Sequence, residues 1–471
     1  MHNLMLVEIK RVRMFADKRV LNVLLNGFGV MMVYAGMLGG AMVMPTIFKD
    51  LNGERGLTEE TAFYGLIICN SAVVLFAPFT PSLSRLLGTR TAVIISILLC
   101  GTIVNVLFYP TTYLVYAAFL LNGMGCALLR VSALSYMTKN STRQTLSRNN
   151  AIHWMMLTVG LMLGNLIVML VNIQTREITR DKRYTIAIAT STLCLLAIPG
   201  YFFTKTIPEN YDDILEARQH EQIHEETVRT PTEKTGITSF PHHGRTSVSM
   251  ASDADYSPIV ELEEEGGVRR VIAGMYQVML RNETLWLLGP MFAAGVYNTA
   301  YSPIIPTAVC NVADKPWLVS AFGILVGLGQ LVGAFITGRA IDKVSIKKIA
   351  TVITSLAVLS FGLVALLVEM GFPSRWTQWR SFSEALILIL AFFIGACNMS
   401  NNVCLSVAIG RIFNRNSDPA FSLFVTVLSF SMITWYLFET FTHSHLYIIL
   451  ILYSISTVAA AFSYASMEFD N

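Results

Sequence analysis

Charge is scarce in this chain. Of its 471 residues only 14% are Asp, Glu, Lys or Arg, against roughly 25% in soluble domains. A protein folded in water must cover itself with polar groups. With 54% of residues in the hydrophobic set and a mean hydropathy of +0.55, this one has too few. That excludes a soluble globular enzyme, a disordered scaffold and a nucleic-acid binder. Carboxylates are missing in a more particular sense too. Every Asp and Glu lies in a connection or within about a turn of the end of an apolar run, with Glu283 and Glu384 opening two runs and Glu369 and Glu439 closing two others. Proton-coupled carriers generally use a buried Asp, Glu or His. The only candidate, His153, stands near the start of its run, where a capped or water-exposed histidine is expected. Classical proton symport or antiport is therefore disfavoured.

Other chemistries lack their residue patterns. The seven cysteines show no CxxC or Cys/His metal spacing; six lie inside apolar stretches and Cys310 ends one, as small core residues would. Gly327, Gly329 and Gly333 have no strand ahead of them and read as close helix packing rather than a nucleotide loop. No hydrolytic triad, phosphate loop or metal constellation occurs, so neither an enzyme nor a cofactor is expected.

What the chain has is apolar runs. Six fall at about Val20–Ile47, Ala62–Thr80, Thr91–Phe108, Tyr113–Ser135, Ala151–Val171 and Tyr184–Thr204, and six more at Glu283–Pro306, Trp317–Gly338, Ile349–Met370, Ala385–Gly410, Ala420–Phe438 and Leu446–Met467. Each is long enough to cross a hydrocarbon core of about 30 Å as a helix. Helices satisfy their own backbone within one segment, so the expected fold is an all-α membrane protein with twelve transmembrane helices. Residues 1–19 form a basic N-terminal segment, followed by a run too long for a signal peptide. With the N-terminus inside, inner connections hold 24 Lys and Arg and outer ones 9. Both termini, 1–19 and 468–471, are thus expected in the cytosol. The bundles then span 20–204 and 283–467. None of the Asn-x-Ser/Thr sites at Asn140, Asn282 and Asn398 should be glycosylated in this topology.

Residues 205–282, between the bundles, are a different material: rich in Glu, Ser, Thr and His, poor in large apolar side chains, and expected to be mostly disordered. They carry Tyr211-Asp-Asp-Ile214 and Tyr256-Ser-Pro-Ile259, which fit the tyrosine-x-x-bulky pattern bound by sorting adaptors.

The halves repeat weakly. Pro81-Ser-Leu-Ser-Arg85-Leu-Leu-Gly88-Thr-Arg90 follows the second run, and Gly338-Arg-Ala-Ile-Asp342-Lys343 follows the eighth. Both resemble the cytosolic loop signature of the major facilitator superfamily, although Arg85 stands where that family carries its acid. The resemblance implies two six-helix bundles related by a pseudo-two-fold axis, with loop charges that clamp neighbouring helix ends. Three further stretches are narrower: Gly123-Met-Gly125 through Arg130 to Ser141, Arg148-Asn149 with His153-Trp154 and Gly164-Asn165-Leu166, and Gly395-Ala-Cys-Asn398 through Asn402. They resemble the Unc-93-like family, closest to its branch named for the major facilitator domain. By that resemblance relatives carry Trp in place of Arg130, Gln in place of Ala133, and acids in place of Gln330 and Asn398.

Arg130 is the one charge inside a run. An isolated arginine at mid-bilayer costs at least about 2.5 kcal/mol on insertion scales. Two readings stay open: it snorkels to the inner interface, or it faces a central cavity and attracts an anionic solute or lipid. The superfamily resemblance implies that the first, fourth, seventh and tenth helices line such a cavity. They hold Asn26, Tyr34, Asn122, Tyr297, Asn298, Tyr301, Asn398, Asn401 and Asn402. The last three share one helix face by their spacing. Interhelical hydrogen bonding and a substrate site both account for such amides. Pro303 and Pro306 should break the outer end of the seventh helix. Unc-93-like relatives regulate a potassium channel or escort receptors, which implies an accessory of another membrane protein. The alternative is a solute carrier not coupled to protons.

Overall fold

The computed structural model describes residues 2–51, 57–142, 145–172, 179–203, 267–306, 317–369, 377–413, 417–442 and 446–466. All twelve apolar runs fall on helices. The first bundle comprises α1 (His2–Asp50), α2 (Glu59–Phe76), the short α3 (Thr80–Leu87), α4 (Thr89–Asn105), α5 (Thr112–Lys139), α6 (Leu146–Asn172) and α7 (Arg180–Phe202). An unforeseen α8 (Gly267–Met279) precedes α9 (Asn282–Thr299), α10 (Trp317–Ala340), α11 (Ile346–Glu369), α12 (Thr377–Ile412), α13 (Ser417–Thr442) and α14 (Leu446–Ser466). Eleven helices among the described residues are long and apolar enough to cross a membrane. The remaining run is α9, shorter at 18 residues and continued by a π-helical turn, Ala300–Ile304.

Two departures from expectation, at α1 and α8, have local causes, and the helix breaks beside Pro303 as expected. Helix α1 starts well before Val20, because no Gly or Pro precedes Gly27 and apolar residues are interleaved with the basic ones. Helix α8 lies inside the segment expected to lack structure. Its apolar residues Met275 and Val278 recur at helical spacing and are buried in the core of the second bundle. The turn after α9 is non-helical at Ser302 (φ −151°, ψ 110°), the residue before Pro303, a position at which the α conformation is disfavoured. Tyr436 on α13 donates a hydrogen bond of 2.9 Å to the Ser302 carbonyl.

The two bundles pack alike. Helix α1 lies against α6 and α7, as α9 lies against α13 and α14; α4 packs on α7 and α11 on α14; α2 packs on α5 and α10 on α12. Across the middle, α6 meets α10 and α2 meets α13. Backbones come close where side chains are absent. A Cβ on Gly329 would lie 1.8 Å from the Phe392 carbonyl oxygen, and one on Gly333 would lie 2.4 Å from that of Ala396. Lipid gives apolar helices little reason to associate, so such small-residue seams supply much of the contact.

Candidate functional site

The halves are tied at the end that carries Asp342. Ser147 on α6 donates to Asp342 Oδ2 at 2.7 Å, and Arg411 at the end of α12 reaches Asp342 Oδ1 at 3.0 Å. Asp418, in the first turn of α13, accepts hydrogen bonds from Ser135 and Lys139 on α5, the latter at 3.2 Å. Ser422 donates to the Ala77 carbonyl, and Trp154 Nε1 donates to Ser406 Oγ at 3.2 Å. Gly338 is buried, and a Cβ there would meet the Ala151 methyl at 2.4 Å. Within the loop signatures, Asp342 therefore carries the inter-bundle contact while Lys343 is exposed. In the first copy Gly88 turns the chain between α3 and α4 with a φ of 77°, a left-handed conformation that glycine adopts at little cost. Arg90 is exposed at the start of α4, and the Arg85 side chain lies outside the described residues. So do Tyr211, Ile214, Tyr256 and Ile259.

Beyond that closed end lies a cavity between the bundles, with about 1260 Å³ of empty volume counted out to its open mouth. Arg130 lines it from α5 and Tyr34 from α1, and Arg130 Nε donates to Tyr34 Oη at 3.0 Å. Helix α5 continues to Lys139, four residues past the Ser135 end of the apolar run, which puts Arg130 about two and a half turns from the helix end. Its guanidinium is half-buried in the cavity wall, engaged by α1 rather than drawn to the helix end. Asn122, Asn298, Tyr301, Asn398 and Asn402 also line the cavity.

These neutral groups largely satisfy one another. Asn402 Nδ2 donates to Asn398 Oδ1 at 3.0 Å, and Tyr301 Oη donates to Asn298 Oδ1 at 2.9 Å. Asn122 donates to the Cys100 carbonyl at 3.1 Å and accepts from Cys69 Sγ at 3.2 Å. Tyr297 and Asn401 stand apart from the lining. Tyr297 packs on Phe361, while Asn401 bonds the Pro290 carbonyl at 3.3 Å and Tyr464 Oη at 3.4 Å. The three-asparagine face thus splits between cavity and helix packing.

His153 differs most from its expectation. It is only 3% exposed, lines the cavity beside Trp154, and its Nδ1 has no hydrogen-bond partner among the described residues. The reason is the extent of α6, which starts at Leu146 and carries its first two turns into the inter-bundle seam. Asn70, Trp154, Ser302 and Tyr436 also line the cavity. Trp154 stood inside the Arg148–Leu166 string, whereas nothing in the sequence marked Asn70 or Tyr436. Gln330 lies on the α6–α10 seam against Thr158 Oγ1 at 3.4 Å. No group of three or more His, Cys, Asp or Glu among the described residues has a metal-binding arrangement.

The fold is similar to that of the major facilitator superfamily proton:xylose symporter XylE, solved with 6-bromo-6-deoxy-D-glucose, at a TM-score of 0.63 and 14% identity over 96% of this chain and 95% of that one. Among curated proteins the chain is 23% identical over 445 residues to the UNC93-like protein MFSD11 of Xenopus tropicalis, covering 91% of this chain and 92% of that one. The Xenopus laevis protein of the same name matches at the same identity and coverage. The family model described as ion channel regulatory protein UNC-93 matches residues 53–465, so the chain belongs to the UNC-93 family of multi-pass membrane proteins.

Proposed function

We propose that the protein is a non-enzymatic membrane protein of carrier type that holds a small solute between its two bundles. The observation that carries this reading is the cavity itself, walled by α1, α2, α5, α6, α9, α12 and α13 and closed at one end by bonds between the bundles. A pure packing interface would leave no such space at protein packing density. Reversible breakage of the Asp342 and Asp418 contacts would open the cavity at that end, as alternating access requires. The excess of basic residues in the connections at that end supports its lying in the cytosol, together with both termini.

The family model's description as an ion channel regulatory protein favours a second reading, in which the chain regulates another membrane protein. Fold alone does not choose between them. The test is to purify and reconstitute the full chain, screen solutes for thermal stabilisation, and label neighbouring proteins in cells. A saturable shift by a defined solute class supports the carrier reading. Stable capture of one channel or receptor, with no solute shift, supports the second.

A further inference from the structure

We propose that the cavity takes a small organic monoanion: a carboxylate that seats on Arg130 and carries an apolar body. This rests on the reading of the cavity as a solute site and names its ligand class. Three observations carry it. First, among the described lining residues Arg130 is the only Arg or Lys, and none is Asp or Glu. A half-buried cation inside a membrane protein is costly without a counter-charge, and a ligand of charge −1 supplies it.

Second, the spare hydrogen-bonding capacity is concentrated there. Nε is held by Tyr34, which fixes the guanidinium plane, and the other two nitrogens have no partner among the described residues. Four N–H donors in a planar fork remain, the geometry that matches a carboxylate. The neighbouring pairs Asn398–Asn402 and Asn298–Tyr301 already bond each other. Besides Arg130, the vacant buried atoms at the cavity among the described residues are His153 Nδ1 and Asn402 Oδ1. A polyhydroxylated solute would need many free donors and acceptors, and a cation would meet the guanidinium's repulsion. Third, most of the remaining wall is apolar, including Val30, Met37, Leu66, Phe424 and Leu428. That surface rewards burial of a hydrocarbon body, at roughly 25 cal/mol per Å².

The test uses the full chain in phosphatidylcholine nanodiscs, with benzoate and 4-phenylbutyrate as probes beside their neutral amides. Thermal unfolding is read for the wild type, Arg130→Gln and Arg130→Lys. The acids should stabilise the wild type saturably and the amides should not. Arg130→Gln should weaken the acids about 10- to 100-fold, as expected for losing hydrogen bonds to a charged group. Arg130→Lys should fall between, because lysine keeps the charge and loses the fork. The acid–amide comparison in the wild type stands even if a variant fails to fold. Equal stabilisation by acid and amide would overturn the anion while leaving the solute site intact. Unchanged acid affinity in Arg130→Gln would overturn it too, as would stabilisation by phosphatidylserine alone. If neither acids, amides nor other uncharged solutes act, the solute site falls as well.

Discussion

Lys139 at the end of α5 and Asp418 in the first turn of α13 form a 3.2 Å ion pair between the two bundles. The lysine side chain is 50% exposed but that of Asp418 only 12%, so the carboxylate is largely withdrawn from solvent while also accepting from Ser135. Exposed pairs contribute little; a shielded carboxylate with two donors contributes more.

Asp418→Asn should therefore loosen the closed end. The loss of charge-assisted bonds is on the order of 1–3 kcal/mol, enough to shift a two-state population severalfold or more. The readout is alkylation of a cysteine introduced at Ala133, a cavity position, by an impermeant thiol reagent in vesicles exposing the Asp342 end. Labelling should accelerate. An unchanged rate would mean that this pair does not hold the cavity shut.

Tyr436→Phe should destabilise the protein by about 1–3 kcal/mol, the usual cost of a buried acceptor left unpaired. The orphaned acceptor is the Ser302 carbonyl, whose helical donor would be the N–H of residue 306, a proline that has none. Thermal unfolding in detergent checks it. A wild-type melting curve would show that water reaches this carbonyl instead.

Two glycines in neighbouring helices should respond oppositely. Gly329→Leu must push α12 away from α10 and should abolish folded protein, since even a Cβ there meets the Phe392 carbonyl oxygen at 1.8 Å. Gly362→Ala on α11 has open space and should be neutral or stabilising by up to about 1 kcal/mol. Size-exclusion yield of the two variants decides; similar yields would contradict the packing.

Asn398→Asp and Asn401→Asp separate cavity from seam. Aspartate costs on the order of 2.5–3.5 kcal/mol at mid-membrane unless water or a partner reaches it. Asn398 lines the cavity, where Asn402 already donates to its oxygen. Asn401 is enclosed by Pro290 and Tyr464, whose carbonyl and hydroxyl oxygens flank it. The first variant should fold and lose affinity for benzoate; the second should express poorly. Equal expression would remove the distinction.

The placement of the apolar helices was legible because lipid imposes long apolar runs and short polar connections. Burial within the bundle was not. Asn398, Asn401 and Asn402 share a face by spacing, yet only neighbouring helices decide that Asn401 meets Tyr464 while the other two meet the cavity. His153 read as a helix-end residue because the helix start was placed at Ala151 rather than Leu146. That shift of about one and a half turns carries it from an end into the seam. Helix α8 hid in a polar segment whose average composition outweighed one amphipathic stretch.

Equilibrium binding of radiolabelled benzoate to the purified full chain tests the cavity reading most directly. One site per chain should appear, displaced by unlabelled benzoate but not by benzamide, and weakened at least about tenfold in Arg130→Gln. Binding that benzamide displaces equally, or that survives Arg130→Gln at wild-type affinity, would contradict a cavity organised around that one positive charge.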